Sequence, residues 1–233
     1  MKKATLICGL LLTCASVFAQ FGVTGRYQIN DAKDWKITYA DQTTEAILDN
    51  APVIGVDYWF RLKNYRVEFL PELSFSKYKN EFQVAEGVLH DTNLNVYNFF
   101  LNTNFYVFDF LGDCDCPTWS KQGNFAKKGF FLQVSPGVSY FQQKVERPDA
   151  SFTSNAVALS LGAGLGFDIG ITDLVTFTPM VGARYFPNVK WESLNQLGDR
   201  LVIYAENPES AIRQLYAGVR LGFRFDYQSS RRR

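Results

Sequence analysis

A strict alternation of apolar and polar residues, repeated along the chain, is the feature that most constrains the fold. It is clearest in residues 214–227, where every second residue from Leu215 onward is apolar or aromatic and those between are small, polar or charged. Successive side chains of a β-strand point to opposite faces, so this pattern predicts a strand with one apolar side. About a dozen residues are enough to cross a bilayer at a tilt. A soluble two-layer sheet has the same alternation, so one strand does not decide between them.

The same alternation recurs in seven earlier segments, so the chain predicts about eight strands. These segments are residues 21–30, 53–62, 65–77, 95–110, 130–143, 157–171 and 175–185. Short turns alternate with long polar connections, which are residues 31–51, 77–92, 147–155 and 187–212. Lipid offers no partner to backbone polar groups, and strands satisfy theirs there only in a closed barrel. We therefore predict an all-β fold, a closed antiparallel transmembrane β-barrel of about eight strands with up-and-down topology.

Composition agrees with a membrane barrel. Aromatic residues make up 16% of the chain, with 21 Phe and 12 Tyr, which suits a wall that faces lipid. After the N-terminal segment, no apolar run reaches the roughly 18 residues that a helical span needs. The 24 basic and 23 acidic residues leave no basic excess, which argues against nucleic acid as a partner.

Aromatic residues concentrate at two levels of the predicted wall. On the apolar faces they fall near the strand ends, as in the belts at the two surfaces of a membrane. The predicted outer belt consists of Tyr27, Phe75, Tyr97, Tyr140 and Tyr185, and the periplasmic belt of Phe60, Tyr65, Phe130, Phe177, Phe225 and Tyr227. We expect outer-membrane lipid to surround the barrel, because a soluble sandwich has no reason to band its aromatic residues.

The first 19 residues are predicted to be a cleaved secretory signal peptide. Lys2 and Lys3 precede a short apolar region, and a small-x-small cleavage site ends at Ala19. The mature chain, residues 20–233, then forms one outer-membrane β-barrel domain. A faint lipoprotein-type box ends at Cys14, and lipidation there stays an alternative. A secreted barrel of this kind is expected in the outer membrane of a Gram-negative bacterium.

The end of the chain carries a further signal. Arg220, Gly222, Phe225 and Tyr227 have the spacing of a polar residue, a glycine and two aromatic residues. This pattern resembles the C-terminal assembly signal of outer-membrane β-barrels, which implies that the barrel-assembly machinery is a partner. With the signal peptide and the eight-strand alternation, the mature chain resembles the small outer-membrane barrels of Gram-negative bacteria, the OmpA/OmpX-like and PorT-like families. The resemblance implies an architecture rather than one function, since these families include adhesins, membrane anchors and secretion accessories.

The polar faces of the strands carry charges of both signs in nearly equal number. An eight-stranded barrel is just wide enough for its side chains to fill, so inward charges must pair with each other or with trapped water. We expect a structural network of salt bridges along the interior, with a gate or proton path as the alternative. The predicted lumen charges are Arg26, Asp57, Arg61, Arg66, Glu68, Glu72, Asp168, Arg184, Arg220, Arg224 and Asp226. Lumen-facing glycines that leave room for them are Gly162, Gly164, Gly166 and Gly170.

The sequence offers little for catalysis. His90 is the one histidine, it lies near a predicted outer loop, and no serine motif around it matches an outer-membrane hydrolase. One histidine and the two cysteines of the mature chain are too few for a metal site. We expect no enzyme activity, no cofactor and no metal. We expect the protein to be a monomer with a structural or interaction role. A narrow channel for small or apolar solutes and a lipid-modifying enzyme are the alternatives.

A long connection, residues 111–129, breaks the rhythm of short turns. Counting strands from a periplasmic N-terminus places it in the periplasm, where such turns are usually short. Cys114 and Cys116 lie in it and could link in an oxidising compartment, although so tight a link is strained. Aromatic and basic residues there predict docking of a periplasmic or envelope protein partner, with a self-packed plug under the barrel as the alternative. The predicted docking residues are Trp119, Phe125, Lys127 and Lys128.

Overall fold

The structure, a computed structural model, describes residues 20–38, 43–62, 65–84, 88–110, 129–146, 150–172, 174–197 and 208–224. Eight long strands account for most of these residues. They are β1 (Gln20–Ala32), β2 (Ala51–Tyr58), β3 (Val67–Val84), β4 (Val88–Phe105), β5 (Phe130–Glu146), β6 (Ser151–Phe167), β7 (Val175–Lys190) and β8 (Glu209–Arg224). The shorter elements are the strands Phe60–Arg61 and Ile169–Gly170, a small hairpin of Lys36–Thr38 with Thr44–Ala46, and a 3-10 helix, Glu192–Leu197. Within these ranges no helix has the length and apolarity needed to cross a membrane.

The eight strands close into an antiparallel barrel. Each strand pairs with its neighbours in sequence, and β1 pairs with β8 to complete the circle. The closing ladder runs from Gln20 opposite Arg224 to Ala32 opposite Ile212. Closure pairs the backbone groups of the first and last strands, which would otherwise be open edges in lipid. The predicted fold class and topology are therefore confirmed.

The outside of the barrel is covered by exposed apolar side chains. Leu159, Val157 and Ile54 are 71%, 68% and 67% exposed, and similar residues continue around the wall. A continuous apolar surface of this extent marks contact with a membrane. Charged side chains meanwhile lie inside the barrel, which is the reverse of a soluble protein.

Aromatic rings border the apolar surface at both ends. At the outer end the Tyr97 ring lies between Phe75 and Tyr140, with centroid distances of 5.1 and 6.3 Å. At the periplasmic end, where β1 begins, Phe21 contacts Phe223 with centroids 5.1 Å apart. Aromatic belts on both sides of an apolar band are typical of transmembrane barrels. The protein is therefore a small eight-stranded β-barrel of the Gram-negative outer membrane, and the predicted localisation is confirmed.

The strands continue beyond the outer belt, where the sequence predicts polar loops. Residues 77–84 and 88–92 instead form the ends of β3 and β4, which pair without a break as far as Val84 opposite Val88, and His90 lies in β4. In this part the alternation is reversed, with Phe82 buried inside and Lys79 exposed outside. The cause of the reversal is that the wall above the membrane faces water instead of lipid. The outward apolar pattern therefore ends at the belt although the strands do not.

An apolar core fills the barrel beyond the outer belt. Trp35 and Trp191 are 0% and 1% exposed and meet edge to face, with ring centroids 5.1 Å apart. Both come from predicted polar connections, residues 31–51 and 187–212. The sequence predicts polar loops at this level, whereas the inward side chains here pack as in a soluble protein. Other members of the core are Ile37, Ile47, Leu48, Tyr78, Phe82, Leu94, Phe141, Phe186, Val189, Leu194 and Ile212.

Glycines that face the lumen lie directly across from large inward side chains. A β-carbon on one of these glycines would come too close to the side chain opposite it. Small and large residues therefore alternate around the wall so that the interior is filled without overlap. The facing pairs are Phe100 with Gly137, Arg184 with Gly162, Tyr216 with Gly182, and Arg26 with Gly218.

We expect Gly137→Ala to lower the free energy of unfolding by about 1–3 kcal/mol, because overpacking displaces side chains or backbone. The added β-carbon would overlap the Phe100 ring and lie 2.8 Å from the carbonyl oxygen of Phe99. Gly25→Ala is the matched control, since a β-carbon there has no such neighbour within 4 Å. Urea unfolding in detergent micelles measures both variants, and equal stability of the two would contradict this packing.

Candidate functional site

An arginine–glutamate pair crosses the lumen. Arg26 Nη1 donates a hydrogen bond to Glu72 Oε2 at 3.0 Å, and Nη2 contacts the other carboxylate oxygen. Asn102 Nδ2 also donates to Glu72 Oε2, at 2.8 Å. The Arg26 and Glu72 side chains are 1% and 3% exposed, so pairing and hydrogen bonds must replace their lost hydration. The pair ties β1 to β3 across β2 and fills the space between them.

A second pair ties β2 to β8 across β1. Arg220 Nε donates to Asp57 Oδ2 at 2.8 Å and Nη2 donates to Oδ1 at 2.5 Å, the two-pronged geometry that suits a guanidinium. Gly22 of β1 makes room for it, since a β-carbon there would lie 2.5 Å from both side chains. Asp57 and Arg220 are 163 positions apart, so only barrel closure brings them together.

Arg184 lies between two aromatic rings instead of beside a carboxylate. Its guanidinium carbon is 3.6 Å from the ring centroid of Phe100 and 4.8 Å from that of Tyr216. The residue is 2% exposed, and its three side-chain nitrogens have no hydrogen-bond partner among the described residues. The ring faces attract the cation. This stack adds another filled layer to the lumen.

The periplasmic mouth of the lumen is occupied by a cluster centred on Tyr106. The Tyr106 hydroxyl lies 2.9 Å from Glu68 Oε2 and also contacts Asp168 Oδ2. The guanidinium carbon of Arg66 lies 4.3 Å from the Tyr106 ring centroid, and Arg66 forms a salt bridge with Asp109. We call these five residues the mouth cluster. Together they join the start of β3, the end of β4 and the end of β6.

A small cavity lies between the charged side chains of the described lumen. This cavity, lined by Asp57, Glu68, Glu72 and Asp168, among others, has a volume of about 10 Å³, which is room for one water molecule. No group of three or more His, Cys, Asp or Glu side chains that could hold a metal ion occurs within the described residues.

The structure places most of the predicted lumen charges inside the wall. Arg66 is buried at the periplasmic mouth, and Arg61 is half-buried. The backbone of Arg224 pairs with Gln20, whereas its side chain lies outside the described residues. The others that are buried are Arg26, Asp57, Glu68, Glu72, Asp168, Arg184 and Arg220.

The remaining predicted site residues lie outside the described ranges, as does the predicted signal peptide, residues 1–19. The assembly signal, the Cys114–Cys116 link and the docking site therefore stay predictions. Gly222 of that signal is described, and it lies in β8 beside the Arg220 side chain. The residues outside the ranges are Phe225, Asp226, Tyr227, Cys114, Cys116, Trp119, Phe125, Lys127 and Lys128.

Sequence reasoning misses the uncharged members of the lumen network. An aromatic residue at a lumen-facing position of a membrane strand is out of place, and this signal could have found Phe100 and Tyr216. A glycine directly opposite the aromatic residue on the neighbouring strand is a second signal. It can be recognised only when the register between the two strands is known. The missed residues are Phe100, Asn102, Tyr106, Thr178 and Tyr216.

Salt bridges cover the outward faces of the strands beyond the outer belt. The hydrogen bond between Lys190 and Glu209, 2.7 Å long, raises the pKa of Lys190 and lowers the pKa of Glu209. Such exposed pairs contribute little to stability, so they matter as a surface of mixed charge. The pairs are Lys79–Glu81, Lys144–Glu146 and Lys190–Glu209.

Comparison with known proteins finds similar solved structures. No protein-family model matches the chain, and no curated protein matches it. Ail, the attachment invasion locus protein of Yersinia pestis, is 13% identical with a TM-score of 0.42, over 88% of this chain and 98% of that chain. Neisserial surface protein A and the N-terminal β-barrel domain of Pseudomonas aeruginosa OprF are each 13% identical with a TM-score of 0.39, over 88% of this chain and 97% of theirs. The fold assignment rests on strand pairing and on the apolar exterior, not on these similarities.

Proposed function

We propose that the protein is a non-enzymatic outer-membrane barrel, sealed to solutes, with a structural or interaction role through its connections. The observation that carries this proposal is the filled lumen, in which salt bridges, the Arg184 stack and the mouth cluster border a cavity of about 10 Å³. The apolar core around Trp35 and Trp191 fills the outer end as well. A barrel filled in this way presents the surfaces at its two ends to other molecules in water.

The outer end supports an interaction role because paired strands and an apolar core order the described part of its surface. The nine residues of β4 that precede Tyr97, Val88–Val96, extend about 30 Å outward from the belt along the strand. They pair with β3 throughout. Phe82 and Leu94, each 1% exposed, fix the inner side of this hairpin in the apolar core. The outward side carries salt-bridged charges of both signs. A partner that binds here need not order a flexible loop first, which lowers the entropic cost of binding.

The long connection at the periplasmic end, residues 111–129, is the second proposed interaction surface. The chain enters it from the mouth cluster, where the backbone N–H of Arg66 donates to the carbonyl oxygen of Phe110 at 3.0 Å. We propose that Trp119, Phe125, Lys127 and Lys128 dock a periplasmic or envelope protein there, since exposed aromatic residues often anchor interfaces. We also propose that Arg220, Gly222, Phe225 and Tyr227 form the signal read by the barrel-assembly machinery.

Two variants test the interaction role. One replaces residues 111–128 by an Asn-Gly turn, and the other replaces Lys79, Glu81, Lys144 and Glu146 by Thr. The second removes two positive and two negative charges, so the net charge does not change. Each variant should fold, as judged by heat-modifiable migration on gels, and each should lose the proteins that co-purify at its own end in mild detergent. If both retain every partner of the wild type, the interaction role is wrong.

A further inference from the structure

Tyr106 brings two buried carboxyl groups together at the periplasmic mouth. Its hydroxyl lies 2.9 Å from Glu68 Oε2 and contacts Asp168 Oδ2. The hydroxyl of Thr178 donates to the other oxygen of Asp168 at 2.5 Å. Tyr106, Glu68 and Asp168 are 0%, 5% and 6% exposed, and Glu68 Oε1 has no hydrogen-bond partner among the described residues. Water therefore does not hydrate these carboxyl groups as it would at a surface.

The hydrogen bonds at Tyr106 require one more proton than ionised side chains supply. A phenol hydroxyl carries one hydrogen, and an ionised carboxylate can only accept. With both acids ionised, one carboxylate oxygen would face the phenol oxygen without a hydrogen between them. A protonated carboxyl removes this conflict by donating to the phenol oxygen while the phenol donates to the other carboxylate. Asp168 already accepts from Thr178, so Glu68 is the residue that carries the proton.

The charges around Glu68 are already matched by other partners. Arg220 pairs with Asp57, and Glu72 pairs with Arg26. Arg66, which lies over Tyr106, pairs with Asp109. Arg61, opposite Glu68 in the ladder, forms no salt bridge with it, and Asp168 repels a second negative charge. Arg66 and Arg220 also attract a negative charge on Glu68, but each forms a salt bridge with another carboxylate. Burial and the neighbouring Asp168 therefore make a second ionised carboxylate at Tyr106 costly.

We propose that Glu68, Tyr106 and Asp168 form a buried proton-binding site in which Glu68 holds a proton at neutral pH. The protonated site stabilises the packing of the strand ends at the periplasmic mouth. The site joins the start of β3, the end of β4 and the end of β6 through one phenol. The cavity of about 10 Å³ that borders Glu68 and Asp168 has room for the water that carries the proton in or out. Deprotonation breaks the O–H bond of Glu68 and passes its proton to that water. The two carboxylates then compete for one phenol hydrogen, and the mouth loosens.

The pH dependence of stability follows from this assignment. An unfolded glutamate releases its proton above about pH 4.3, whereas the folded barrel keeps one on Glu68 at neutral pH. The folded state therefore binds more protons than the unfolded state, so stability is present at lower pH and falls as the pH rises. One such proton makes the unfolding constant rise by up to about tenfold per pH unit.

The comparison of Glu68→Gln with Glu72→Gln tests the proposal. Both replace a buried glutamate of β3 by its neutral isostere, but Glu72 is ionised and paired with Arg26. Infrared spectra of the barrel in detergent micelles at pH 7 should contain a C=O band of a protonated carboxyl in the wild type. Glu68→Gln should remove this band, and Glu72→Gln should retain it while destabilising the barrel at every pH.

Urea unfolding between pH 5 and pH 7 gives a second readout, because the folded and unfolded states differ in bound protons in this range. The unfolding constant of the wild type should rise with pH more steeply than that of Glu68→Gln. Any other group that titrates in this range does so in both proteins, so the difference between them isolates Glu68. A wild type without the band, or equal pH slopes in the two proteins, would overturn the proposal. Both readouts stand even if Glu72→Gln does not fold.

Discussion

Arg26→Met should lower the free energy of unfolding by about 3–5 kcal/mol, because it leaves the Glu72 carboxylate buried without its positive partner. The two side chains are almost inaccessible to water, and Glu72 would keep only the hydrogen bond from Asn102. A methionine fills the space of the arginine stem, so the loss reports the charge rather than a cavity. Urea unfolding in detergent micelles, followed by tryptophan fluorescence, measures the change.

The double variant Arg26→Met/Glu72→Gln is the control for that result. It removes both charges, and Asn102 can still donate to the oxygen of the new amide. Replacing a buried ion pair by neutral side chains of similar size is often close to neutral. The double variant should therefore recover most of the lost stability. If it is as unstable as Arg26→Met alone, the pair does not act through its charges.

Trp35→Ala should cost about 3–5 kcal/mol of stability in the apolar core beyond the outer belt. The indole is fully buried, lies edge to face on Trp191, and donates from Nε1 to the carbonyl oxygen of Pro208 at 3.3 Å. Truncation removes these contacts and leaves a cavity between two connections. Because the membrane part of the wall has its own hydrogen-bonded ladder, the loss should be local to the outer end.

Limited proteolysis of the protein in membranes measures this local loss. In Trp35→Ala, cleavage within residues 31–51 and 187–212 should become faster while the membrane strands stay protected. Trp35→Phe keeps an aromatic ring on Trp191 but not the hydrogen bond, so its cleavage rate should lie between wild type and Trp35→Ala. Unchanged cleavage in Trp35→Ala would show that the core does not fix the outer connections.

The sequence predicts the membrane part of this fold well because lipid imposes one rule on every strand. Residues 157–167 alternate without exception, since the outward side must be apolar and the inward side small or polar. The same rule fails above the outer belt, where water replaces lipid and the pattern is reversed. The sequence pattern therefore predicts a polar loop at Lys79 and Phe82, although both lie in β3. Trp35 and Trp191 are missed for the same reason.

The sequence predicts most charged members of the candidate site, but neither its uncharged members nor its geometry. The two-residue alternation along a strand predicts that Glu68 and Arg184 face the lumen. It does not predict which side chains they contact there. Pairing of Asp57 with Arg220 requires the register across β1 and the closure of the barrel, which no local pattern contains. Tyr106 lies just after β4, where the alternation ends. Its contact with Asp168 therefore cannot be predicted without the three-dimensional arrangement of the strands.

Single-channel recording of the purified barrel in planar bilayers tests the central claim, that the lumen is sealed by its own side chains. The Arg26–Glu72 and Asp57–Arg220 pairs, the Arg184 stack and the mouth cluster fill the membrane part, and the apolar core fills the outer part. Protein whose folding is confirmed by heat-modifiable migration should therefore give no stable openings above the baseline of the bilayer. Reproducible, long-lived openings in the nanosiemens range would contradict the sealed barrel.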